Sequence, residues 1–136
     1  MPLRFTLKPH ERLIINGAAI RNGSRSADFL IETHCKFLRE SEIIHESEAD
    51  TACKRLCVTL QVIHLSEHAA EAETLFYEQA SAILKAMPSA ASHVAAISEA
   101  LDVRQTHKAI KAGKQLVAYE TELLKRVQVD SAPHAA

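Results

Sequence analysis

The chain has no tryptophan, and aromatic residues fill only 4% of its 136 positions. A core made without large rings must be filled by Leu, Ile, Val and Ala, side chains that suit closely packed helices. Glycine occurs three times, and no Walker A loop or dinucleotide fingerprint can be assembled from it. A Gly-x-Ser-x-Gly nucleophile elbow is missing as well, so the common routes to hydrolase, kinase or dehydrogenase chemistry are closed and no enzymatic activity is expected. No apolar run approaches the roughly eighteen residues that a membrane-spanning helix needs. The N-terminus lacks the basic start and apolar stretch of a secretory signal. The cysteines number three, and an odd count without an export signal reads as reduced thiols in a cytoplasmic protein.

Charge is scarce in sum and uneven in place. The formal net charge is −1, so the overall field draws in neither a membrane nor a nucleic acid. Residues 1–26, however, carry Arg4, Lys8, Arg12, Arg21 and Arg25 against Glu11 alone. Residues 104–127 carry Arg104, Lys108, Lys111, Lys114, Lys125 and Arg126 against Glu120 and Glu122. Two basic ends around an acidic middle invite a test against a polyanion.

Hydrophobic periodicity divides the chain into a short strand-like start and a helical remainder. Leu3, Phe5 and Leu7 alternate with polar neighbours, the period of a half-buried strand. Pro9 marks a turn, Leu13-Ile14-Ile15 reads as a second strand, and Asn16-Gly17 is a strong type I′ hairpin signal. Ala18-Ala19-Ile20 returns, and Asn22-Gly23 closes a small three-stranded antiparallel meander over residues 1–23. Ser24 or Ser26 would cap a helix from about Arg25, with Phe29, Leu30, Thr33, Phe37 and Leu38 along one face. A charged connector anchored by Ile43-Ile44 follows. Asp50 or Thr51 caps the next helix, whose stripe is Cys53, Leu56, Cys57, Leu60 and Ile63. Another helix opens at Ser66 and stops at Pro88; an Ala-rich one covers 89–101 with Val94, Ile97 and Leu101 inward. The last, from about Arg104 to Val127, places Ile110, Gly113, Val117, Leu124 and Val127 inward, and Gly113 points to a close helix approach or a kink. Residues 128–136 read as a disordered tail. The expected fold is therefore α+β, an N-terminal β-meander packed on four to five helices in a single domain spanning 1–127.

Three constellations carry possible chemistry. Cys53 and Cys57 at i, i+4 share a helical face, and His64, or His34 with Cys35, would complete a tetrahedral metal site. Free cysteine is also among the most buried residue types, and the favoured reading is two small core residues with no metal and no cofactor. Nucleic-acid contact has two candidate surfaces: Arg4, Lys8, Arg12 and Arg21 on the hairpin, and Lys108 and Lys111, with Arg104, on the last helix. Aromatic support for base stacking is thin beyond Phe5. A partner interface is the remaining option, since the Ala-rich helix permits close approach and the apolar content of 52–101 suits a homodimer or a bound protein.

The string LRFTLKPHERLIINGAAIRNG, followed by RSADFLIETHCKFLRESEII and DTACKRLCVTLQVIHL, resembles the FlbT family of flagellum biogenesis proteins over most of residues 3–127. Leu7-Lys8, Glu11-Arg12, Ile15-Asn16-Gly17-Ala18, Arg21-Asn22-Gly23, Phe29-Leu30 and the stretch from Arg55-Leu56 to Gln61 carry the likeness through their order and spacing. The chain departs from the family pattern at Ala52, where proline is frequent, and at Cys57, where an aromatic is usual. The resemblance implies a post-transcriptional regulator of flagellin synthesis, a repressor that associates with the 5′ untranslated region of flagellin mRNA and promotes its degradation. It also implies flagellin or a FlaF-type protein as partners. The segment LKPHERLIING is similar, over about fifteen residues, to the first hairpin of the CsrA type of RNA-binding regulator. The competing reading is a protein-interaction adaptor of flagellin or a FlaF-type protein that never touches RNA. The resemblance names no site residues, so the six candidate cations rest on charge alone.

Overall fold

The computed structural model describes residues 3–66 and 69–131, with side chains through residue 127. Five strands come first: β1 (Leu3–Leu7), β2 (Arg12–Ile15), β3 (Ala18–Arg21), β4 (Ala27–Ile31) and β5 (Phe37–Arg39). Two 3-10 turns, Glu40–Glu42 and Glu46–Glu48, lead into helices α1 (Ala52–Leu65) and α2 (Ala70–Ala86). A third 3-10 turn, Pro88–Ala90, precedes α3 (Ala91–Asp102), and α4 (Thr106–Ser131) ends the described chain. The α+β architecture is as the sequence implies.

The strand region is not a meander. The hairpin at Asn16-Gly17 forms as expected, with φ of 47° and 81°, the two positive values that a type I′ turn requires. β1, however, pairs antiparallel with β4, Phe5 opposite Phe29, while β5 joins the free edge of β2, Ile14 opposite Leu38. His10, at φ 62°, turns the chain away from β1 before β2 begins. The helix expected over 25–38 is thereby replaced by β4 and β5. The apolar spacing there suited either element, and the unpaired backbones of β1 and β2 decided between them.

The two sheets face each other through aromatic contact. The Phe5 ring stacks on Phe29 at 5.6 Å within its own sheet and on Phe37 at 5.8 Å across to the other. Leu7 and Leu13 are buried between them. The opposite face of the three-stranded sheet sends Leu38, fully buried, into the helical core.

That core contains the stripe read from the sequence: Cys53, Leu56, Cys57, Leu60 and Ile63 are all buried. Thr51 caps α1 by accepting from Lys54 N–H, and Glu120 of α4 accepts Cys53 N–H at 3.3 Å, so a second helix also caps the first. Gly113 is in α4 because α1 passes so close: a Cβ there would lie 2.9 Å from Leu60 Cδ1 and 3.0 Å from Cys57 Sγ. Ile110 is inward as expected, but Leu124 and Val127 are exposed, and Ala109 and Leu116 are buried residues the pattern missed. The domain stops short of them, so α4 outruns the surface it packs on.

Two boundaries shift. Ser66 caps the end of α1, donating to the Val62 carbonyl at 3.0 Å, and α2 starts at Ala70; residues 67–68 lie outside the described ones. Helix α4 continues to Ser131 through part of the expected tail, whose remainder, 132–136, also lies outside the described residues.

Candidate nucleic-acid interface

Much of the motif-rich N-terminal segment is architectural. Asn22 is a latch: its Nδ2 donates to the carbonyls of Leu7, Lys8 and Arg25 at 3.2, 2.9 and 2.8 Å, fastening the end of β1 to the chain beyond β3. Glu11 accepts Lys8 N–H at 2.9 Å and pairs with Arg39 at 3.2 Å, while Arg39 also donates to the Thr6 carbonyl. The Lys8 N–H, more than the guanidinium, holds the Glu11 carboxyl below the usual range. Buried Gln61 pairs with Ile44 twice, accepting its N–H at 2.6 Å and donating to its carbonyl at 2.9 Å, as a strand neighbour would.

The six candidate cations fall into separate places. Arg4 is exposed on β1, opposite Leu30 of β4. Lys8 is exposed at the turn after β1. Arg12 and Arg21, both exposed, lie directly opposite on β2 and β3. Asn22 N–H bonds to the Glu11 carbonyl, which makes the adjacent 12:21 pair the narrow, non-hydrogen-bonded kind, with its side chains drawn together. Two like charges so placed repel each other. Lys108 and Lys111 are exposed on the first turns of α4.

Lys108 has company that the sequence did not suggest. The segment 34–37 lies against the start of α4 and leaves a groove of about 560 Å³, lined by Lys36, Arg104, Lys108, His34 and His107 among others. Lys111 is not among the lining residues. Arg104 is at φ 59°. Its N–H bonds to the Leu101 carbonyl and Gln105 N–H to the Ala100 carbonyl, the paired bonds of a Schellman ending to α3 with Arg104 at the position where glycine is usual. Holding an L-residue there costs about 1 kcal/mol.

Beneath the groove His64 ties three elements together. Its Nδ1 lies 2.7 Å from Thr106 Oγ1 and its Nε2 3.2 Å from the Phe37 carbonyl. A carbonyl only accepts, so Nε2 carries the proton and donates, and Nδ1 accepts from the threonine hydroxyl. Burial depresses the His64 pKa below its ordinary value and keeps the ring neutral. Beside it, His107 Nε2 is 2.7 Å from Glu42 Oε2.

Cys53 and Cys57 are buried core residues. Burial, reinforced by the Glu120 carboxylate, pushes both Cys53 and Cys57 up to about 12, where a thiol is neither nucleophile nor ready ligand. Among the described residues no three His, Cys, Asp or Glu side chains are grouped to hold a metal ion, and no helix is long and apolar enough to cross a membrane.

The family model described as Flagellar protein FlbT matches residues 3–124, almost the whole of this architecture. The chain belongs to the FlbT family. It is 31% identical over 132 residues to the "Probable flagellum biosynthesis repressor protein FlbT" of Caulobacter sp. (strain K31), covering 93% of this chain and 99% of that one. A Rhodopseudomonas palustris (strain TIE-1) relative of the same name is 31% identical over 126 residues, covering 93% of this chain and all of its own. The "Flagellum biosynthesis repressor protein FlbT" of Caulobacter vibrioides (strain ATCC 19089 / CIP 103742 / CB 15) is 29% identical over 133 residues. No solved structure matches the chain. Within this FlbT-family fold, the residue that sequence reasoning missed outright is Lys36. It lay inside an expected helix, and nothing local signals that its neighbours in space are Arg104 and Lys108.

Proposed function

We propose that this FlbT-family chain represses flagellum biosynthesis by binding the 5′ untranslated leader of flagellin mRNA and promoting its degradation, with no bond broken by its own residues. Its relationship to proteins named as flagellum biosynthesis repressors, over nearly their full lengths, is the observation that carries the reading. The surface supports it: exposed cations are gathered at the Arg12–Arg21 pair and at the mouth of the α4 groove, the kind of clustering that phosphate contacts use. The protein would occupy the leader in the cytoplasm, blocking ribosome access or exposing the transcript to a nuclease.

A second reading has its own observation. Between α1 and α2 lies an apolar groove of about 340 Å³ lined by Val58, Val62, Ala72 and Leu75, suited to an adaptor that holds flagellin or a FlaF-type protein. Fluorescence anisotropy of purified protein with a flagellin 5′ leader RNA, beside a scrambled RNA and at two salt concentrations, separates the two. Leader-selective binding that weakens steeply with salt is the expected result. Absence of binding at low salt would transfer the function to the adaptor reading.

A further inference from the structure

Cations converge from three elements on one groove. Lys36 comes from the segment leading into β5, Arg104 from the α3–α4 junction, and Lys108 from the first turn of α4. No carboxylate lines the groove. Glu42, which is bonded to the groove's His107, is engaged by that pairing. Among the described residues Lys36, Arg104 and Lys108 form no ion pair. The first turn of α4 contains no acidic residue of its own, so the positive end of a 26-residue helix adds to the same field. Such a collection is unfavourable in an empty groove and becomes favourable around an anion.

The hairpin pair differs in kind. Arg12 and Arg21 lie on an open strand surface, whereas the groove is a concavity of the size that encloses small ligands, roughly 300–1,000 Å³. Leu3 and Phe37 give the groove an apolar part to its lining. Cations around such a lining suit a strand that presents phosphate on one side and a ribose or unstacked base on the other.

Resting on the RNA reading above, we propose that this groove holds the phosphodiester backbone of single-stranded leader RNA, with Lys36, Arg104 and Lys108 on phosphate oxygens. Arg104 marks the site most sharply, because glycine would make the same turn without strain and without charge.

The test is anisotropy titration of the leader RNA across a salt series with wild type, Arg104→Gly, a Lys36→Gln/Lys108→Gln double variant and an Arg12→Gln/Arg21→Gln double variant, with melting curves of each. The expected result is that Arg104→Gly binds roughly tenfold more weakly and melts no lower than wild type, while each lost phosphate contact lowers the salt slope by about 0.7. The Lys36/Lys108 double variant should weaken further, and the hairpin double variant, whose cations lie outside the groove, should lose less affinity than either groove variant. Wild-type affinity in both groove variants, with loss in the hairpin variant, would overturn the groove while leaving the RNA reading intact. No RNA binding by wild type at low salt would remove both. Complete displacement of RNA by inorganic phosphate at matched ionic strength would make the groove a small-anion pocket and overturn the strand assignment.

Discussion

The strand region and the helical region are held together by different means. In the helices, Leu56, Leu60, Phe76, Ile97 and Leu116 are shut off from water, and burial of that kind contributes a few kcal/mol per side chain. In the strands, Leu7, Leu13 and Leu38 are buried, but Leu3, Ile20, Phe29 and Leu30 are substantially exposed. Much of what fixes that region is polar: the Asn22 latch and the Arg39–Glu11–Thr6 bridge. An apolar core tolerates exchange among side chains of similar size, whereas a latch depends on particular donors at particular carbonyls. This explains why the residues that distinguish the N-terminal sequence, Glu11, Asn16-Gly17 and Asn22, turn out to be architectural.

The sharpest way to break this comparison is to delete one ring from each region. Phe76→Ala should cost about 4 kcal/mol, since it empties a fully buried site. Phe5→Ala, in a half-buried stack, should cost about half as much. Equal losses in chemical denaturation would mean that the strand region is as tightly packed as the helices.

His64 joins the two regions, and its titration should expose their union. Its pKa is depressed from 6.5 by burial, so the unfolded chain takes up a proton first as pH falls. Stability should be level above about pH 6.5 and decline below it, by at most about 1.4 kcal/mol per pH unit. The depressed carboxylates, Glu11 and Glu42, act only below their ordinary value of 4.5, so the histidine window is separate. Thermal melts between about pH 7.5 and 5.5 should show this component in wild type, and His64→Gln should lack it. An unchanged slope in the variant would place the proton uptake elsewhere.

The smallest effect concerns the hairpin. Arg21→Glu turns a repulsive cross-strand pair with Arg12 into an attractive one and should raise stability by about 0.5 kcal/mol. A loss of stability would show that Arg21 does more for the fold than its exposed position indicates.

Local features of the fold were legible wherever a residue constrains its own backbone. Asn16-Gly17 specified the hairpin, Thr51 the start of α1, and Pro88 the stop after α2. Apolar spacing gave the α1 stripe without error, because a helix carries its periodicity within itself. The same spacing failed over 25–38. There Phe29 and Phe37 satisfy a helical period, yet each ring stacks on Phe5, about twenty to thirty residues away in the chain. It also failed for Leu124 and Val127, because a helix pattern does not reveal where its neighbours end.

The candidate site divides along the same line. Clustered charge at both ends of the chain, and the identity of most of the cations, are properties of the sequence. Which of them share a surface is not. Arg12 and Arg21 meet because a two-residue turn sets their register, a local cause that the sequence contains. Lys36 meets Arg104 and Lys108 only because β5 completes the sheet on β2 and His64 binds both the Phe37 carbonyl and Thr106. Hydrogen bonds between distant backbones, and the burial that makes them obligatory, decided that meeting. The sequence by itself determined the charges and the turns; the tertiary structure decided where those charges come together.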